Sequence, residues 1–147
     1  MTEEVLVKIT SIQRNGAYEE SEPISIMTPG RYFTNEGNAY VRYEEVMDEE
    51  GLSTVNTAKI HPDYFELKKN GAVNVHMLFQ NNKKNISYYE TPFGQIEMGI
   101  STTSYRKEET EDKISVFLRY AMEMNGEHTA DCELTLEILA KGTAFSI

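Results

Sequence analysis

The sequence predicts an all-β domain of antiparallel strands in up-and-down order, folded as a sandwich or a barrel. Two observations carry this. Apolar and polar residues alternate along most of the chain, and turn residues recur at short intervals between those runs. A third is negative: no long stretch prefers the i, i+3, i+4, i+7 template of an amphipathic helix. A strand sends successive side chains to opposite faces, so a period of two buries one face and wets the other.

The strands can be justified in order. Val5, Val7 and Ile9 open the alternation. Val73, Val75, Met77 and Phe79 repeat it, and so do Ile96, Met98 and Ile100. The longest runs come last, from Ile114 through Val116, Leu118 and Tyr120 to Met122, and from Ala130 through Cys132, Leu134 and Leu136 to Ile138. Between the runs stand Asn15-Gly16, Pro29-Gly30, Asn35-Glu36-Gly37, Gly51, Pro62-Asp63, Asn70-Gly71, Asn81-Asn82, Pro92-Phe93-Gly94 and Asn125-Gly126. Each offers Gly for positive φ, Pro for a preset φ, or Asn and Asp for local bonding. About eight to ten strands fit between such turns. All 147 residues read as a single domain, with 141–147 a tail where the pattern stops.

Two hairpins can be predicted in register. A two-residue turn at Asn125-Gly126 would set one strand's apolar face against the other's charged face. A three-residue loop, Met124-Asn125-Gly126, pairs Leu118 with Cys132 and Val116 with Leu134, with φ > 0 at Gly126. The same loop at Pro92-Phe93-Gly94 pairs Glu90 with Ile96, Tyr88 with Met98, and Ile86 with Ile100. Tyr88 and Glu90 then face inward and Tyr89 outward.

Composition narrows the function classes. The net charge of −10 repels phosphate backbones, so no nucleic acid is expected as partner. The acid runs Glu19-Glu20-Ser21-Glu22, Asp48-Glu49-Glu50 and Glu108 to Asp112 read as solvated loops. Asp48 to Gly51 lacks the spaced oxygen ligands of an EF-hand. No apolar run is long enough to span a membrane, the N-terminus is acidic, and Cys132 is the single cysteine. These features suggest a cytoplasmic protein of a reducing compartment, without a membrane partner.

The stretch "NGAVNVHMLFQNNKKNISYYETPFGQIEMGIST", preceded by "TPGRYF" and "AYVRYEE", resembles the YwiB-like family of uncharacterised bacterial proteins. Gly71, Phe79, Tyr89, Thr91 and Gly94 carry most of the resemblance, which covers nearly the whole chain. It implies a calycin-like, lipocalin-like up-and-down β-barrel, and it implies no activity.

Small closed barrels fill their interiors with side chains or hold one small ligand. Tyr88, Glu90, Met98, Tyr120 and Met122 are the expected inward residues and the candidate ligand-binding set. Tyr offers an apolar body with a polar tip, and Met adapts to irregular guests. Ordinary core packing would explain the same residues. Glu90 is the one charged member, placed to hold a polar head at the rim.

No catalytic residue, metal site or cofactor is expected. His61, His76 and His128 have no ligand partner at short spacing, and Cys132 sits in an apolar alternation that buries it. Nucleophile-elbow, P-loop and dinucleotide fingerprints do not occur. Arg42 and Arg119 are expected outside, paired with cross-strand acids, Arg119 with Asp131. The leading function is binding a small, partly apolar or amphipathic molecule inside the barrel. The second is a protein-interaction module, in which Phe117 on an outer face hints at a patch or a homo-oligomer contact. An enzyme using rim residues such as Glu90 ranks third.

Overall fold

The computed structural model describes residues 3–14, 22–46, 53–71 and 74–141. Asn15-Gly16, the acids between 19 and 21, the segment Asp48 to Gly51, Val73 and the tail residues 142–147 lie outside the described residues. Ten strands follow one another: β1 (Glu4–Arg14), β2 (Ile24–Asn35), β3 (Asn38–Val46), β4 (Ser53–Ile60), β5 (Tyr64–Gly71), β6 (Val75–Gln80), β7 (Lys83–Thr91), β8 (Gly94–Glu109), β9 (Lys113–Met124) and β10 (Glu127–Ala140).

Around the sheet the order is β6-β5-β4-β3-β2-β1-β10-β9-β8-β7. Every ladder is antiparallel and joins strands consecutive in the chain, except the one between β1 and β10. That ladder runs from Val5 opposite Ala140 to Arg14 opposite Asp131. The sheet rolls into a nearly closed barrel, and the seam lies between β6 and β7. One isolated bridge, Asn74 with Glu90, crosses it. Side chains do the rest: Asn85 Nδ2 donates to the Leu78 carbonyl at 3.2 Å, and the Ser87 hydroxyl donates to the His76 carbonyl.

The strand ends Arg14, Val46, Gly71, Thr91 and Met124 lie toward one end of the barrel, the mouth. The strand ends Asn35, Ile60, Gln80 and Glu109 lie toward the other, closed end. The inward residues nearest the closed end form a tight apolar core that includes Ile60, Phe65, Ile114, Val116, Leu136 and Ile138, none more than 2% exposed. Tyr105 plugs this end: its hydroxyl donates to the His61 carbonyl at 2.6 Å. The Asn81 side chain pairs with both backbone groups of Tyr105, as a neighbouring strand would.

Three sequence expectations need correction. Pro29-Gly30 is not a turn but the middle of β2. Gly30 is required there by close approach, since a Cβ would lie 2.7 Å from Val7 Cγ2 and 3.4 Å from Val41 Cγ2. The second correction is the β9–β10 turn. It has two residues, Asn125 (φ 51) and Gly126 (φ 84), with Met124 opposite Glu127. Positive φ at both positions is type I′ geometry. The facing conflict is cured by a bulge at Thr129, after which Ala130 opposes Met122. Leu118 therefore meets Leu134 rather than Cys132, and Val116 meets Leu136 rather than Leu134.

The third correction moves two candidate residues. In the β7–β8 hairpin Thr91 opposes Gly94, so Tyr89 faces Ile96 and Tyr88 faces Glu97. This is a one-residue slip from the expected register, and it turns β7 over. Thr91 Oγ1 accepts the Phe93 N–H at 3.2 Å and donates to the Gly94 carbonyl at 2.8 Å, which ties the shorter turn. The inner side of β7 is polar because Asn85 and Ser87 must satisfy β6 carbonyls at the seam. On the outer side Lys84 and Ile86 cover Gly99, whose missing side chain makes room for them.

Candidate functional site

The inward alternation that fills the closed end continues toward the mouth with different residues. On β3, Val41 and Tyr43 are followed in phase by Glu45. On β5, Phe65 and Leu67 are followed by Lys69. On β9, Leu118 is followed by Tyr120 and Met122. These side chains enclose a cavity of ≈ 280 Å³ in the mouth half of the barrel. Phe65, Phe79 and Leu67 lie at its base, and Met77, Tyr120 and Met122 along its wall. Phe79 and Tyr120 meet edge to face at 4.9 Å. Ile24 and Ile26 also line it, yet are 67% and 39% exposed, so the cavity opens to water beside them.

One wall is charged. Lys69 Nζ lies 3.0 Å from Glu45 Oε1, and Asn56 Nδ2 donates to the same oxygen at 3.4 Å. Strand β4 runs between the two partners: Asn56 stands opposite both Tyr43 and Lys69, and Thr54 opposite Glu45. Both β4 side chains are fully buried, and Asn56 Oδ1 and Thr54 Oγ1 have no hydrogen-bond partner among the described residues. Burial pushes the Tyr43 hydroxyl well above its usual range, and the Glu45 charge adds to the rise. Burial likewise raises Tyr120, with Cys132 beside it adding to the effect. The Cys132 thiol is itself raised, chiefly by burial. A thiol held protonated is a poor nucleophile.

The sequence-predicted residues divide. Tyr120 and Met122 line the cavity. Met98 is buried in the core, 2% exposed. Tyr88 is 55% exposed on the outer face, the reverse of its expected direction. Glu90 shares that face and is exposed at the rim, its backbone N–H donating to Asn74. Both corrections follow from the slip in β7. The residues sequence reasoning missed are Glu45, Lys69 and Tyr43. Their signal was there to find: a charged residue standing in phase at the end of an apolar alternation.

The other chemistry-bearing groups lie outside the cavity. Arg119 pairs with Glu133 at 2.9 Å, not with Asp131, because of the Thr129 bulge. Arg42 lies over the Phe33 ring at 5.6 Å rather than on an acid, since its ladder neighbours are Arg31 and Thr57. Phe117 is covered by the Arg106 guanidinium at 4.5 Å. His61 Nδ1 accepts the Asp63 N–H and its ring stacks on Tyr64, His76 lies by Glu66, and His128 by Asp131. Among the described residues no three His, Cys, Asp or Glu side chains converge as a metal would need. Among the described residues no helix is long and apolar enough to cross a membrane. A more open groove of ≈ 390 Å³ runs outside β1 to β4, over Leu6, Pro29 and Val55. Of its basic residues, Arg31 and Lys141 pair with Glu3 and Glu4, and Arg42 lies over Phe33.

The chain is similar to the uncharacterised β-barrel protein YwiB of Bacillus subtilis (strain 168), with 26% identity over 118 residues, 79% of this chain and 82% of that protein. The crystal structure of the B. subtilis ywiB protein superposes with a TM-score of 0.82 at 21% identity, covering 93% of this chain and 91% of the other. That likeness supports the ten-stranded barrel as the fold. The family described as a domain of unknown function (DUF1934) matches residues 7–136, and the chain belongs to it.

Proposed function

We propose that this barrel binds one small, partly apolar molecule in the mouth half of its interior. The observation that carries this is the cavity itself. At ≈ 280 Å³ it lies near the lower end of the range for small-molecule sites. Its base and much of its wall are aromatic, aliphatic and thioether, and polar groups come from the Glu45–Lys69 pair and from Ser11, Gln13 and Glu133. The calycin-like character implied by the resemblance supports the same use, as does the exposure of Ile24 and Ile26 on an inward-facing strand segment. A lone, buried, free Cys132 fits a reducing, cytoplasmic setting.

Calorimetric titration with 1-octanol tests the reading. Saturable 1:1 binding is expected for the native chain and is lost in Met122→Trp, which fills the cavity, at unchanged melting temperature. Binding retained in Met122→Trp, or no saturable binding by the native chain, overturns it. A second reading has its own observation: Ile86, Tyr88 and Phe93 expose apolar surface on the β7–β8 hairpin, at 48%, 55% and 99%. A protein-interaction or self-association role would use that patch. Sedimentation of Tyr88→Ser/Phe93→Ser against the native chain tests self-association: a lower mass for the double variant is expected, and equal masses overturn it.

A further inference from the structure

We infer that the cavity's ligand carries a zwitterionic head, an ammonium and a carboxylate together, seated on the Glu45–Lys69 pair, with a short aliphatic body against Phe79, Tyr120 and Met122. This rests on the cavity reading above and goes on to name the chemical class. Glu45 and Lys69 both line the cavity and already satisfy each other at 3.0 Å. Their side chains are only 30% and 21% exposed, so a charge added there is poorly screened. A lone carboxylate would draw Lys69 away and leave two negative groups facing each other. A lone ammonium would do the mirror-image harm at Lys69. Removing one partner from a shielded pair costs more than the pair contributes.

A head bearing both signs leaves the site's net charge unchanged. Its carboxylate meets Lys69, its ammonium meets Glu45, and the resident pair becomes a four-centre cluster. Beneath this wall, outside the cavity lining, Asn56 Nδ2 holds Glu45 Oε1 at 3.4 Å. Asn56 Oδ1 and Thr54 Oγ1 are fully buried acceptors beside the pair with no partner among the described residues. Arg42 and Arg119 face outward, which leaves Lys69 as the cation lining this wall.

The test is isothermal titration at pH 7 with three eight-carbon probes: 2-aminooctanoate, octanoate and octylamine. The zwitterion is expected to bind at least about tenfold more tightly than either singly charged probe. Glu45→Gln should raise octanoate affinity, and Lys69→Gln should raise octylamine affinity. The exchanged pair Glu45→Lys/Lys69→Glu should keep the preference for the zwitterion, which guards against a single variant that folds poorly. Octanoate or octylamine matching the zwitterion, with all three lost in Met122→Trp, overturns the head-group inference and leaves the cavity reading intact. No binding by any of the three or by 1-octanol overturns both.

Discussion

The two halves of this barrel are built from the same ten strands with the same inward period, yet they end differently. Toward the closed end the inward positions are Ile60, Phe65, Ile114, Val116, Leu136 and Ile138, packed to the exclusion of water. Toward the mouth the same strands continue with Glu45, Lys69, Tyr120 and Met122, and the packing opens into a cavity. Alternation alone does not separate stability from function. The change of residue type within one phase does. On β3 and β5 the charged residues Glu45 and Lys69, in phase with the apolar run, stand along the cavity.

Five substitutions can break or sharpen that contrast. Leu136→Ala at the closed end should cost about 2–5 kcal/mol in urea unfolding, because packed neighbours cannot collapse into the space. Met122→Ala should cost well under that, since it enlarges a space already open. Equal losses would erase the distinction between the halves. Gly30→Val comes next: its branches would press on Val7 and Val41, with an expected loss of about 1–3 kcal/mol and a lower melting temperature.

Tyr105→Phe tests the plug at the closed end, where the hydroxyl bonds the His61 carbonyl. Its loss should cost about 1 kcal/mol at neutral pH. Burial, with help from Asp63, pushes the Tyr105 hydroxyl up to about 12, from 10.0. Between those values the unfolded chain has released the proton and the folded chain keeps it. The contribution is therefore whole below pH 10 and is lost as pH rises toward 12. Unfolding curves of Tyr105→Phe should show a shallower alkaline decline than the native chain. Tyr43 and Tyr120, raised in the same direction, keep some slope. The smallest effect belongs to the outside: Arg119→Ala, which removes an exposed pair with Glu133, should change stability by about 0.2–1 kcal/mol, less in high salt.

Strand content and topology class were legible because period two is a strong signal and most links are short. Registers were not, and the two hairpins show why. At β9–β10 the apolar pattern demanded a correction to a two-residue turn, but a slip in either direction restores it. The chain uses a bulge at Thr129, which brings Leu118 to Leu134. At β7–β8 the apolar residues Ile86 and Tyr88 suggested the inner face, while the true inner face holds Asn85 and Ser87 for bonding across the seam. That need depends on where the sheet fails to close, which no local pattern reveals. Of the cavity wall, Tyr120 and Met122 could be read in advance. Its charged wall was legible in principle, in the phase of Glu45 behind Tyr43 and of Lys69 behind Leu67.

The ladder that sets Val5 against Ala140 has a consequence for how the molecule is made. Hairpins from β2 onward can form as the chain leaves the ribosome. The strand β1 then waits, with one edge unpaired, until nearly everything after it has been synthesised. Contacts so distant in sequence raise the entropy of closure and slow folding. The ring is completed last, by its earliest strand, so a nascent chain short of β10 presents an open edge, the natural point for a chaperone to guard.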